Sequence, residues 1–88
     1  NKMNVLLKTV EQRFSQQEAS SKIGKAIVSL REFSSVPEET KGEVIGIDKL
    51  GKFPEEWDVK IQWDLPGRLN PLVDWFTKGE YERYLKEV

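Results

Sequence analysis

Residues 57–64 alternate apolar and polar side chains without interruption. Because successive side chains of a β-strand point to opposite faces, this pattern predicts a strand with one buried face and one solvated face. The predicted buried face consists of Trp57, Val59, Ile61 and Trp63, and the predicted solvated face of Asp58, Lys60, Gln62 and Asp64. This strand constrains the fold more than any other segment of the chain.

The neighbouring segments predict further strands of the same sheet. Alternation in residues 25–33 indicates a first strand, and residues 43–48 indicate a second, in which Gly46 predicts a bulge or a bend. The loop between them, residues 34–42, contains both proline and glycine, which favour turns. Residues 72–76 supply a fourth short strand.

A turn and a helix are predicted in the C-terminal third of the chain. Pro66 and Gly67 fit the second and third positions of a type II turn, in which the third position needs a positive φ. Thr77 and Glu80 have the spacing of a capping box, which predicts a helix that begins at residue 77. The predicted apolar stripe of this helix consists of Tyr81, Tyr84, Leu85 and Val88.

The N-terminal residues predict another helix. Leu6, Val10 and Phe14 recur at a spacing of four, as in an amphipathic helix over residues 4–17. Residues 15–21 are rich in serine and glutamine and favour a helix end or a flexible linker. The helix could cover an open end of the β domain, pair with a second copy of itself, or dock a partner.

The composition excludes several kinds of chemistry. The chain has 88 residues, enough for one domain, and contains neither cysteine nor histidine. Thiol catalysis, imidazole catalysis and the commonest zinc sites are therefore excluded, and we expect no metal and no cofactor. A chain this short buries only about 60% of its unfolded surface, so a compact core or self-association must stabilise it.

Hydropathy indicates where the protein is located, and charge indicates which partners it does not bind. The longest apolar runs have three residues, far fewer than the roughly 20 that span a bilayer, and we expect a cytoplasmic protein without membrane contact. Residues 1–31 carry six basic and two acidic residues, whereas residues 32–88 carry eight basic and thirteen acidic residues. The acidic part repels phosphate backbones, which disfavours nucleic-acid binding.

Four or five short strands without a crossover helix predict a mainly β (α+β) fold, an antiparallel sheet curled into a small barrel. We divide the chain into residues 1–22, the N-terminal helix and linker, and residues 23–88, the barrel with its C-terminal helix.

At roughly residues 23–86 the sequence resembles short uncharacterised bacterial proteins with an SH3-like barrel. The motifs that carry this resemblance are Gly24-x-x-Ile27, Phe33-Ser34-Ser35-Val36-Pro37, Thr40-x-Gly42-x-Val44, Trp63-Asp64-Leu65-Pro66, Asp74-Trp75-Phe76-Thr77-Lys78 and Glu80-Tyr81. The chain departs from the pattern at Glu39, where glycine is more frequent. The resemblance implies a fold and no agreed activity.

The candidate binding residues lie where the predicted third strand ends and beyond it. Trp75 and Phe76 are adjacent, so one of them must point outward from a strand that is covered on one side only. An exposed Trp75 beside Asp64, Arg68 and Asp74 would resemble the peptide-binding grooves of SH3-like domains. We add Tyr81, from the helix that follows, to this candidate surface.

A role in the fold, without any role in binding or catalysis, could also explain these residues. Asp64 and Asp74 could form an acid–base pair, but side chains of this kind more often accept hydrogen bonds from backbone at turns. Trp57 and Trp63 are better explained by core packing than by ligand stacking. Both Trp75 and its neighbour could be covered by the flanking helices.

The sequence favours a non-enzymatic protein-binding or adaptor module of bacterial origin, either alone or as a homo-oligomer formed through its helices. One alternative is a nucleic-acid-associated SH3-like protein, against which the acidic charge argues. The other is a small oligomeric enzyme, since one class of dihydrofolate reductase is an SH3-like barrel that builds its active site from four chains. This chain lacks the Val-Gln-Ile-Tyr motif of that class, and we predict no enzymatic activity.

Overall fold

Five strands and two short helices follow one another in the computed structural model, which describes residues 13–33, 35–51 and 55–88. The strands are β1 (Ala26–Ser29), β2 (Lys41–Gly51), β3 (Glu56–Trp63), β4 (Leu72–Phe76) and β5 (Leu85–Glu87). The helices are α1 (Gln16–Ser21) and α2 (Lys78–Tyr84). No helix among the described residues is both long enough and apolar enough to cross a membrane.

The strands form one antiparallel sheet in the order β4-β3-β2-β1-β5. This confirms a mainly β fold with an antiparallel meander from β1 to β4. The sheet is open, with β4 and β5 as its two edges, and its predicted closure into a barrel stays a prediction.

The predicted alternation of β3 is confirmed on its apolar side. Val59, Ile61 and Trp63 are buried, and Trp57 is half-buried against the core. The prediction is wrong for Asp58, whose side chain is only 5% exposed although it lies on the polar side of the strand. Alternation fixes the side of a strand on which a residue lies, but it does not say what covers that side.

The predicted bulge in β2 is confirmed. Val44 pairs with Ile61 and Gly46 pairs with Lys60, so one residue, Ile45, is extra on β2. The strand is longer than predicted, because it begins at Lys41, inside the predicted loop, and continues beyond the predicted end.

The turn and the helix start are confirmed in their details. Gly67 has a φ of +81°, which a type II turn needs at its third position. Thr77 is the N-cap of α2, where its hydroxyl accepts from the Glu80 backbone N–H and the Glu80 carboxylate accepts from the Thr77 backbone N–H.

The predicted end of this helix is wrong. The backbone turns extended at Leu85, and the last residues form β5, which pairs with β1. The Val88 backbone N–H donates to the Ala26 carbonyl oxygen at 3.0 Å, and its side chain is 73% exposed. The helical stripe stops because these backbone groups find partners on the open edge of β1 instead.

The N-terminal region also differs from the prediction where it is described. The first nine residues of the predicted helix over 4–17 lie outside the described residues, and Phe14 forms an antiparallel bridge with Trp57. Residues 15–21 were predicted as a helix end or linker. In the structure Ser15 is the N-cap of α1, which spans Gln16–Ser21 and buries Ala19. A serine-rich segment therefore supplies both a helix start and a core residue.

The core lies between the inner face of the sheet and the two helices. Phe33 is partly buried and packs against this core, with its ring 5.6 Å from that of Phe76, 5.9 Å from that of Tyr84 and 6.0 Å from that of Trp63. The buried apolar residues are Phe14, Ala19, Ile27, Val36, Val44, Val59, Ile61, Trp63, Phe76, Tyr81 and Leu85.

Candidate binding surface around Trp75

Trp75 lies on the outer face of β4 and is half exposed. It pairs with Lys60 of β3, and 50% of its surface is accessible, whereas the following Phe76 is only 6% exposed. The prediction that one of these two adjacent aromatic residues points outward is confirmed. The alternative that both are covered by the helices is wrong.

Polar neighbours on two other strands hold the indole of Trp75 in place. Its N–H donates a hydrogen bond to the Asp48 carboxylate on β2, and the Lys60 ammonium group on β3 lies 5.6 Å from the ring centroid. A cation at this distance over an indole is attracted by the negative face of the ring. The exposed ring is therefore oriented before any ligand arrives.

Asp74 has a structural role that the sequence did not predict. It is half-buried, and its Oδ2 accepts a hydrogen bond of 3.0 Å from the Trp63 indole Nε1. The hydrogen bond satisfies the one polar group of a tryptophan that is only 2% exposed. Asp74 is thus tied to a core side chain, and neither a backbone turn nor an acid–base pair accounts for it.

The candidate residues line two separate grooves. Asp74 and Trp75 line one of about 220 Å³ beside β4, which we call the β4 groove. Its complete lining is Phe33, Ser35, Leu72, Asp74, Trp75 and Phe76. Asp64 and Arg68 line a second, more open groove of about 470 Å³. The structure therefore places the predicted residues in two groups.

The second groove is mostly polar. Lys41, Glu43 and Gln62 contribute to its walls, and so do the exposed Asp64 and Arg68. The Asp64 backbone N–H donates to the Lys41 carbonyl oxygen at 2.8 Å, so the position of this residue is set by its backbone.

Tyr81 lies in the core, so we remove it from the candidate surface. It is 4% exposed, its ring packs edge-on against Phe14 at 5.8 Å, and its hydroxyl donates to Glu87 Oε2 at 2.8 Å. Burial and the hydrogen bond to Glu87 both raise the pKa of Tyr81. Two hydrogen bonds lower the pKa of Glu87, and the one from Lys22 has a larger effect than the one from Tyr81.

Asp58 is a further notable residue, which the alternating pattern did not indicate. Its Oδ1 is buried without a hydrogen-bond partner among the described residues, and it lies directly opposite Asp48 on β2. Burial, followed by the charges of Glu56, Glu80 and Asp48, raises the pKa of Asp58 to about 6. The like-charged cross-strand pair could be found only once the register was known.

These acidic residues do not form a metal site. In the described part of the chain, no group of three or more acidic side chains is placed so that it could hold a metal ion.

Comparison with known proteins identifies no relative. No family model matches the sequence, and no curated protein and no solved structure is significantly similar to it.

Proposed function

We propose that this protein is a non-enzymatic protein-binding module and that the surface around Trp75 receives the partner. The observation that carries the proposal is the half-exposed Trp75 ring, which Asp48 and Lys60 hold in place. Tryptophan is enriched among the few residues that dominate binding energy at interfaces. A ring that is already oriented loses less conformational entropy when it is covered.

The volumes and the lining residues of the two grooves support a protein partner over a small molecule. Sites for small molecules usually enclose about 300–1,000 Å³ and are lined mainly by apolar side chains. The β4 groove, at about 220 Å³, is smaller than this range. The second groove is large enough, but charged and polar side chains such as Lys41, Glu43 and Arg68 line much of it.

The finer description of the fold belongs to the same proposal. The strands lie in the sheet in the order β4-β3-β2-β1-β5, and along the sequence α2 lies between the two edge strands, β4 and β5. Both features support an SH3-like arrangement. We also retain as proposals the bacterial origin, the cytoplasmic location and self-association through the helices.

Capture of partners from a lysate tests the proposal. Immobilised wild-type protein is compared with Trp75→Ala, and Ile23→Ala is the matched control because Ile23 is also about half exposed, at 49%. We expect Trp75→Ala to lose specific partners that Ile23→Ala retains. Thermal unfolding of each variant checks that the fold survives.

Two results would contradict the proposal. One is equal capture by the wild type and by a folded Trp75→Ala variant. The other is equal loss in both variants, which would attribute binding to apolar exposure in general.

A further inference from the structure

β4 is an edge strand with an unpaired outer side. It pairs with β3, and among the described residues its outer edge has no backbone hydrogen-bond partner. Unpaired backbone donors and acceptors in a row are a template for another strand. β4 therefore offers five residues, Leu72–Phe76, to an incoming chain.

The opposite edge of the sheet is less suitable for an incoming strand. β5 has only three residues, two of them charged, and one of these, Glu87, forms an ion pair with Lys22 at 2.7 Å. Short edges and charged side chains are the usual means by which proteins prevent edge pairing. β4 is longer, with five residues, and contains no lysine, arginine or proline; its one charged residue is Asp74.

The two faces of β4 present different chemistry to an added strand. Leu72, Asp74 and Phe76 pair with Trp63, Ile61 and Val59, so these three residues lie on the inner side of the sheet. All three also line the β4 groove, together with Phe33. Side chains of an added strand that point inward would therefore meet an apolar, an acidic and an apolar residue in turn.

We propose that β4 binds an extended segment of another protein as a sixth strand. The segment has a lysine or arginine opposite Asp74 and an apolar residue two positions away on each side. This inference rests on the proposed protein-binding function and specifies the chemistry of the partner. Backbone pairing supplies affinity in this mode of recognition, and alternate side chains supply specificity.

Charge complementarity selects this occupant. Among the residues that line the β4 groove, Asp74 alone is charged, and residues 32–88 carry thirteen acidic against eight basic residues. A basic side chain opposite Asp74 is attracted, and an acidic one is repelled.

The same charge disfavours a second copy of this chain at the edge. Two β4 strands that pair antiparallel about their centres place Asp74 opposite Asp74, because it is the middle residue of the strand. Like charges directly opposite each other destabilise a strand pair.

Binding of synthetic peptides to the full chain, measured by fluorescence anisotropy, tests the proposal. The two probes have the cores Val-Thr-Lys-Thr-Val and Val-Thr-Glu-Thr-Val in otherwise identical peptides. We expect the lysine peptide to bind about tenfold more tightly, since only its central charge complements Asp74. Asp74→Asn should remove most of this preference, and Asp64→Asn, outside the β4 groove, should preserve it.

N-methylated peptides test the backbone pairing separately. Every second residue of a strand directs its N–H toward a given neighbour. Methylation of one alternate set of amides should therefore abolish binding, whereas methylation of the other set should preserve it. Equal effects of both sets would show that the segment does not bind as a strand.

The outcomes separate this inference from the proposed function. If neither peptide binds, or if both bind equally, the inference is wrong, although Trp75-dependent capture from a lysate would still support the proposed function. A dimer joined through β4, detected by light scattering and insensitive to the lysine peptide, would also overturn it.

Discussion

Asp58 combines burial with like-charged neighbours, which has a consequence for stability. Its pKa is raised from an ordinary value of 3.8 to about 6. Between these two pH values the folded state holds a proton that the unfolded state has lost, so the free energy of unfolding falls as the pH rises. The destabilisation is complete above about pH 6 and absent below the unfolded pKa.

We therefore expect Asp58→Asn to stabilise the protein at neutral pH. The gain should be on the order of 2 kcal/mol above pH 7, because one pKa unit corresponds to about 1.4 kcal/mol. It should shrink toward pH 4, where the wild-type carboxyl group is protonated in the folded state. Urea unfolding at several pH values measures the difference between the two proteins.

Asp64→Asn is the control, since it makes the same chemical change at an exposed carboxylate and should alter the free energy of unfolding little. If the difference between the wild type and Asp58→Asn is independent of pH, the assignment of the raised pKa to this residue is wrong.

Glu39 has an unusual backbone conformation for a residue with a side chain. Its φ is +65°, and it is the non-glycine residue with a positive φ in the described part of the chain. A side chain in this conformation costs roughly 1–2 kcal/mol, which glycine avoids. Glycine loses more entropy on folding, so we expect Glu39→Gly to stabilise the protein by about 0.5–1 kcal/mol.

The neighbouring Glu38 supplies the control for this substitution. It is exposed like Glu39 but has no positive φ, so Glu38→Gly should be neutral or destabilising. Thermal unfolding compares the two variants, and a lower melting temperature for Glu39→Gly than for the wild type would contradict the argument.

At the scale of elements, the contact between β2 and β3 depends on a glycine. A Cβ added at Gly42 would lie 2.9 Å from Trp63 Cε3 and 3.0 Å from the Gln62 carbonyl oxygen. Both atoms lie on β3, and one of them is backbone, so neither can move away freely. Gly42→Ala should therefore destabilise the fold by about 1–3 kcal/mol, as overpacking does.

Gly46 is the matched control on the same strand. A Cβ at this position would meet nothing within 4 Å, and its φ is not positive, so Gly46→Ala should be tolerated. Denaturant midpoints of the two variants test the contrast, and equal midpoints would show that the approach of Trp63 to Gly42 is not limiting.

The elements that were predicted correctly are those whose signals are local. The alternation of β3, the bulge at Gly46 and the capping box of Thr77 each depend on residues close together in the sequence. β5 was missed because Leu85 continues a helical spacing, and only the nearby edge of β1 favours an extended backbone there. The partition of the candidate site between two grooves depends likewise on strand register, which the sequence did not fix.

At the scale of the whole molecule, the segment before β1 is tied to the rest of the fold by several contacts. Phe14 is 1% exposed, and its carbonyl oxygen accepts from the Trp57 backbone N–H at 3.3 Å. Glu18 of α1 forms an ion pair with Lys78 of α2 at 2.8 Å. The segment that the sequence analysis assigned to a separate N-terminal part thus contributes to the core between the sheet and α2.

This arrangement predicts that a chain shortened to residues 23–88 is largely unfolded. Loss of a buried phenylalanine side chain alone costs about 3–5 kcal/mol, and small domains have a total stability of only about 5–15 kcal/mol.

Phe14→Ala should unfold at a much lower urea concentration than the wild type, and Phe14→Leu, which keeps an apolar side chain, should fall between them. Ile23→Ala removes apolar surface that is already 49% exposed and should have little effect. A shortened chain that unfolds cooperatively at the wild-type midpoint would mean that residues 23–88 form a self-sufficient core, and that Phe14 covers this core without stabilising it.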